Sequence, residues 1–354
     1  ISSAEELIAV LTDIRARAKQ QIPGDTGNKN YREYVNFVLE NDIVIDANTE
    51  FMYTDGNGAP LHFYGVKGVI DLNGHNITVN ADALLAGKSY AHAALLVQYS
   101  NIDIVGDGSI ITNNKSIPVY GWANGSVNIY GGTYITNASE RNESAVYVNN
   151  PSMVINVYGG NYEGSAYAFN AHDNCGNTPV IVLHEGVSYK NFLKNNTTDV
   201  IASDMNAGRI QLEDDCYLAQ QQISGETWYE ITQKSATASY ISSVDDMRQA
   251  MKTPNAKIVL TDDLIINDDK WTSYALYAKY DVTIDLNGKN LKVDLPDKEF
   301  YGIIYALNGA KVNIVGDGNI EINGGMGPFI WCTGANGATE VNIYGGHWTQ
   351  NSED

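Results

Sequence analysis

Carboxylates are the first candidates for chemistry in this 354-residue chain. Asp71, Asp103 and Asp285 each sit inside a short run that alternates apolar and polar residues. A glycoside hydrolase needs two carboxylates about 5 to 10 Å apart. Strands stacked about 4.8 Å apart could supply them from equivalent positions of neighbouring repeats. The positions that continue the Asp71 and Asp103 series, however, are Asn128 and Asn156, which are amides and cannot serve. Calcium-assisted polysaccharide elimination needs clustered acids and a nearby base. Glu213-Asp214-Asp215, Asp262-Asp263 and Asp268-Asp269 are such clusters, but no Arg or Lys recurs at matching positions, so they read as solvated turns. The Gly-Asp-Gly phrases at 106–108 and 316–318 resemble fragments of a phosphate loop, yet no helix follows to receive the anion. Turn chemistry accounts for them, since Gly supplies positive φ and Asp bonds its own backbone. His172-Asp173-Asn174-Cys175 has metal-binding side chains in one local run only. No catalytic residue, metal ligand or cofactor site is assigned.

The aromatics are the better candidates for contact with a ligand. Tyr120 and Trp122 precede the run Val127-Asn128-Ile129-Tyr130, and Phe329 and Trp331 precede the matching run Val341-Asn342-Ile343-Tyr344. Alternation places Tyr130, Tyr158 and Tyr344 on the outward side of their strands. Tyr and Trp faces stack on sugar rings and dominate protein contacts, so Tyr120, Trp122, Tyr130, Tyr158, Trp331 and Tyr344 are the expected ligand-contact residues. The competing reading is that Tyr fills ladders and Trp packs in loops or against a neighbouring subunit.

The elements that position these residues are repeated. Ile70-Asp71-Leu72-Asn73-Gly74 returns as Ile284-Asp285-Leu286-Asn287-Gly288, and Ile104-Val105-Gly106-Asp107-Gly108 as Ile314-Val315-Gly316-Asp317-Gly318. Val127 to Gly132 returns as Val341 to Gly346, 214 residues on. Duplication on this scale means tandem domains, placed at 1–235 and 236–354. Within each, alternating strands begin near Val69, Asn101, Val127, Val154 and Val180, then Val282, Val312 and Val341, at intervals of about 26 to 32 residues. One alternating strand and a Gly-rich turn per repeat fits the coils of a solenoid with a continuous Val/Ile core. A β-sandwich would show hairpin pairs and shorter units.

Stacked coils also predict hydrogen-bonded columns or tight bends at Asn73, Asn128, Asn156, Asn313 and Asn342. Ser3 to Glu6 and Ser243 to Asp246 read as helix starts, so each block opens with a short amphipathic helix that covers the solenoid end. A second helix is expected from Tyr31 to Leu39, after a loop at 22–30. A closing element spans 182–229, and Thr232 to Tyr240 is the linker. The second block stops after its third run and reads as truncated.

Composition agrees with an all-β fold: 33 Gly and 23 Tyr accompany abundant Asn. The net charge of −20, spread over both halves, repels nucleic acid and anionic membranes, and no apolar run could insert in a bilayer. Three widely spaced cysteines, Cys175, Cys216 and Cys332, leave at least one without an intramolecular partner, and free buried thiols are expected.

The phrases "IDLNGHNITV", "IVGDGSI", "VNIYGGTY" and "INVYGGNY", with the closure "EGVSYKNF … WYEI", resemble right-handed parallel β-helix proteins of the pectate-lyase-like superfamily. They are most similar to its non-enzymatic members in bacteriophage head and tail fibres and gut bacterial surface proteins. The resemblance covers about residues 40–235 and 257–351. It implies two tandem right-handed parallel β-helices, and a structural, adhesive protein on the outside of a virion. The partners it implies are a host-surface glycan or protein, other virion proteins and the two further copies of a homotrimer. The polygalacturonase-type set of Asn-Thr-Asp, Asp-Asp and Gly-His-Gly is absent as a set. A carbohydrate-degrading β-helix enzyme and a bacterial adhesin are the alternatives.

Overall fold

The computed structural model describes residues 1–21, 32–46, 59–80, 93–113, 116–137, 144–165, 167–190, 200–235, 237–267, 274–295, 302–307, 309–324, 328–333 and 338–351. The expected loop at 22–30, the pair Asp268-Asp269 and the residues Asn191 and Phe192 lie outside them. The described chain is mostly strand, and its sheets are almost entirely parallel. It forms two compact units. One comprises Ile1–Cys216 with Trp228–Ile231, the other Tyr217–Thr227 with Thr232–Asp354.

In the first unit the chain visits three sheets in rotation, and each strand pairs with the one a full circuit earlier. Sheet 1 contains Val66–Asp71, Asn101–Val105, Gly125–Ile129, Met153–Val157, Ile181–Leu183 and Ile210–Leu212. Sheet 2 contains Ile43–Ile45, Asn76–Asn80, Ser109–Asn113, Thr133–Asn137, Gly160–Glu163 and Val187–Lys190. Sheet 3 contains Leu61–Tyr64, Ala93–Gln98, Ile117–Ala123, Ser144–Val148 and Tyr167–Ala171. The second unit repeats the scheme with Val282–Asp285, Lys311–Val315 and Glu340–Ile343 in its first sheet, Asn290–Asp294, Asn319–Asn323 and His347–Asn351 in its second, and Leu276–Ala278, Ile304–Leu307 and Ile330–Thr333 in its third. This order is compatible with a β-helix-like solenoid. Where the sequence led us to expect one strand per repeat, each circuit holds three.

Alternation sets the core. Ile102, Ile104, Val127, Ile129, Ile155 and Val157 are buried, while Asp103, Asn128 and Asn156 between them face outward. Each buried aliphatic side chain contributes about 1.5–3 kcal/mol of transfer free energy. Tyr134 and Tyr162, on neighbouring strands of sheet 2, stack inside the coil at 4.9 Å and 4°. At the far side of the stack the parallel order ends, because Lys190, Tyr189 and Ser188 pair antiparallel with Trp228, Tyr229 and Glu230.

The repeated phrases make repeated corners. Asn73 (φ 49°) and Asn287 (φ 47°) adopt left-handed backbone, and each backbone N–H donates to the carboxylate two residues earlier, Asp71 at 2.8 Å and Asp285 at 2.9 Å. The side-chain amide then reaches back to the preceding circuit: Asn73 Nδ2 donates to the Leu39 carbonyl at 2.9 Å and Asn287 Nδ2 to that of Leu260 at 3.0 Å. Gly106 and Gly316 pass directly over these corners at φ +84° and +77°, where a Cβ would run into the Asp71 and Asp285 carboxylates. Only glycine meets both demands.

Helix α1 (Ala4–Gln21) starts where Ser3 Oγ accepts from Glu6 N, and the Glu6 carboxylate accepts in return from Ser2 N at 2.7 Å. Two further helices follow, α2 (Val200–Asn206) and α3 (Val244–Ala250), the latter capped by Ser243. The stretch expected to be a second helix, 31–39, instead contains the strands Glu33–Tyr34 and Phe37–Val38. Val35 N donates to Lys67 O and Leu39 N to Asp71 O, so its β-forming Tyr34, Val35, Phe37 and Val38 pair with sheet 1. The expected linker likewise includes the ends of two strands, Glu226–Gln233 and Ala238–Ile241. None of the three cysteines is in a disulfide. Cys175 and Cys216 are buried as expected, but Cys332 is exposed, because it lies on the outermost strand of its sheet among the described residues.

Candidate functional site

The register of sheet 1 in the first unit brings two outward columns side by side. One column runs Asp103, Asn128, Asn156 on adjacent strands. Asn128 Nδ2 donates to Asp103 Oδ1 at 2.8 Å, and Asn156 Nδ2 to Asn128 Oδ1 at 2.9 Å. The same device recurs on sheet 2, where Asn80 donates to Asp46, Asn113 to Asn80 and Asn137 to Asn113. In the second unit Asn342 donates to Asn313 and Asn313 to Thr283. Each amide donates toward the preceding circuit, and the two first-unit columns end on a carboxylate, whose hydrogen bond is charge-assisted. Asn128, Asn156, Asn313 and Asn342 therefore form columns, and Asn73 forms a bend.

The second column lies just past the strand ends and runs Tyr130, Tyr158, His184, with Glu213 next. Tyr130 and Tyr158 stack at 4.9 Å and 7°, and Tyr158 and His184 at 4.0 Å and 23°. Tyr130 is 50% exposed and Tyr158 39%. His184 Nδ1 lies 3.3 Å from Glu213 Oε2 without the alignment of a hydrogen bond, and its Nε2 is buried with no hydrogen-bonding partner among the described residues. The Tyr130 hydroxyl is held above the ordinary tyrosine value, by desolvation first, then by the Asp103 carboxylate and Tyr158.

This stacking changes what the column offers a ligand. The rings stack on one another, and of the three Tyr130 and Tyr158 stay partly open to solvent beside the Asn column while the His184 nitrogens are buried. The result is a flat, ordered strip of hydrogen-bonding groups that suits a hydroxyl-rich partner.

The other expected contact residues lie elsewhere. Tyr120 and Trp122 are on the outer side of sheet 3, stacked at 6.0 Å and 18°, with Tyr147 tilted against Tyr120 at 5.0 Å. Tyr120 is buried among Ala59, Ala93, Leu96 and Ile117, and its hydroxyl accepts from Asn149 Nδ2 at 3.1 Å. Burial raises its ionisation above the usual value. Tyr344, in the second unit, occupies the position of Tyr130 and is 73% exposed. Trp331 lies on that unit's third sheet, 40% exposed, whereas Phe329 turns in to pack edge-on against Trp348 at 5.1 Å.

The carboxylates are engaged in structure. Asp71 and Asp285 hold their turns, and Asp103 terminates its column. His172 Nδ1 accepts from Asn174 N at 3.1 Å, and Asp173 faces Arg209 at 3.1 Å. Among the described residues no group of three or more His, Cys, Asp or Glu could hold a metal ion. His184 was not foreseen, although Ile181-Val182-Leu183-His184 follows the pattern of Val127-Asn128-Ile129-Tyr130 and aligning the two would have found it. Compared with known protein families, curated proteins and solved structures, the chain matches none.

Proposed function

We propose that this chain is a right-handed parallel β-helix of pectate-lyase-like type, in two tandem copies, serving as a structural and adhesive fibre protein of a bacteriophage virion. Its role is to present a rigid surface to a host glycan or protein without catalysis. One observation carries the reading: an amide column and a half-exposed aromatic column lie in register on the outer face of one sheet, with Asp103 closing the first and Glu213 standing beside His184 at the end of the second. Right-handed crossing is what parallel strand–crossover–strand connections adopt almost without exception. The virion setting, the homotrimer and the contact with other virion proteins rest on the resemblance of the repeated phrases.

The test is a screen of the purified chain against host-surface polysaccharides, with binding and released products read in the same samples. Binding without products, weakened by Tyr158→Ala, supports the adhesive reading. Depolymerisation abolished by Asp103→Asn would overturn it in favour of a hydrolase.

A further inference from the structure

The third sheet of the second unit carries aromatic side chains that are open to solvent, whereas Tyr120 on the first unit's third sheet is buried. Tyr277, Tyr305 and Trp331 align on successive strands. On the third sheet of the first unit His62, Leu96 and Tyr120 likewise align on successive strands. Those three are 3%, 0% and 4% exposed, whereas Tyr277 is 45% and Trp331 40% exposed. Leu96 and Tyr120 are buried in a cluster with Ala59, Ala93 and Ile117, while a helix covers His62. The 18 residues of α1 reach the strand Leu61–Tyr64, where Arg15 Nη1 lies 3.3 Å from His62 Nδ1. The seven-residue α3 places Arg248 3.4 Å from the Ala275 carbonyl.

Tyr274 and Tyr305 stack at 4.0 Å and 4°, and the Tyr277 ring lies 5.9 Å from each at 81°. Equal distances put Tyr277 beside the pair and not over it. Lys279, two residues beyond Tyr277 in the bend that follows the strand, is exposed, its ammonium 5.6 Å from the centre of the Tyr280 ring. It forms no ion pair among the described residues, in a chain of 42 acidic and 22 basic side chains. A recess of about 270 Å³ adjoins it, lined by Asn255, Tyr280, Asp281 and Gly309. The Asp281 carboxylate is already occupied, accepting from Lys311 N at 2.8 Å.

We infer that this face binds an oligosaccharide carrying a single carboxylate, with Tyr277 and Trp331 under the sugar rings and Lys279 on the acid. Tyr277 and Trp331 are two strand spacings apart, about 10 Å, close to the length of a disaccharide, so one unbranched chain can lie on both. The uncommitted cation supplies the charge complementarity, and ammonium beside an aromatic ring suits an acidic sugar. The net charge of −20 opposes a polyanion, which restricts the ligand to an isolated acidic unit. This inference rests on the adhesive reading but places a second site on a different unit and face.

The experiment compares sialyl-lacto-N-tetraose with neutral lacto-N-tetraose by calorimetry on the full chain. The acidic glycan should bind more tightly, with a preference that shrinks as salt is raised. Lys279→Gln, an exposed substitution that leaves the fold intact, should cost about three-fold for the acidic glycan and nothing for the neutral one. Trp331→Ala should weaken both about ten-fold. Equal affinity for the two glycans, or affinity unmoved by both substitutions, overturns the inference. If other glycans still bind and are lost on Tyr158→Ala, the adhesive reading survives that failure. Binding to no glycan at all defeats both.

Discussion

Two tyrosines in one stack make opposite predictions for the same substitution. Tyr134 and Tyr162 are both fully buried and lie parallel at 4.9 Å. The Tyr162 hydroxyl donates to the Gly159 carbonyl at 2.8 Å, whereas the Tyr134 hydroxyl is buried with no hydrogen-bonding partner among the described residues. Burying an unpaired hydroxyl costs about 1–3 kcal/mol. Tyr134→Phe removes that cost and keeps the ring, so it should stabilise the first unit by about 1 kcal/mol after the small loss of contact around the missing oxygen. Tyr162→Phe strands a carbonyl acceptor and should destabilise by about 1–2 kcal/mol. For a unit of this size, 1 kcal/mol corresponds to about 2–4 °C in Tm. Differential scanning calorimetry should therefore show the first unit's transition rise for Tyr134→Phe and fall for Tyr162→Phe. A fall for Tyr134→Phe as large as that for Tyr162→Phe would refute the reasoning, since it would show the two hydroxyls to be equally satisfied.

The same burial gives a pH signature. Both tyrosines are held well above their ordinary value of about 10, so the unfolded chain ionises first and the stability they confer, complete below pH 10, is lost as pH rises past it. Melting temperature measured from pH 9 to 11 should fall less steeply in the Tyr134→Phe, Tyr162→Phe double variant. Asp204 is 2% exposed and paired with Arg209 at 2.7 Å, and burial raises its ionisation above the carboxylate norm. Arg209→Met should thus cost about 3–5 kcal/mol in denaturant unfolding at pH 7, and less near pH 4, where a proton neutralises the stranded acid. Gly106→Ala and Gly316→Ala should each cost about 2 kcal/mol by thermal melting, because positive φ and the carboxylate beneath both oppose a Cβ. Gly74→Ala, where a Cβ would meet nothing within 4 Å, should cost only about 1 kcal/mol.

Local rules carried much of this architecture. The alternation of Val127 to Tyr130 decides which side chains enter the core, and the phrase Asp-Leu-Asn-Gly fixes the same left-handed corner twice, because both depend only on residues within a few positions. Helix starts at Ser3 and Ser243 follow from capping for the same reason. What the sequence could not settle depends on partners far along the chain. Glu33–Tyr34 and Phe37–Val38 are strands because sheet 1 offers the Lys67 and Asp71 carbonyls to this stretch, although its spacing alone suits a helix. Asn73 bends while Asn128 joins a column, a difference set by whether an acceptor stands across the register or behind the corner. His184 completes an aromatic stack only because its strand lands beside that of Tyr158. Tyr120 and Trp331 both lie on the third sheet of their units, yet one is buried and the other open to solvent. Periodicity places a side chain outward, and only the elements that the tertiary structure packs over that face decide whether water reaches it.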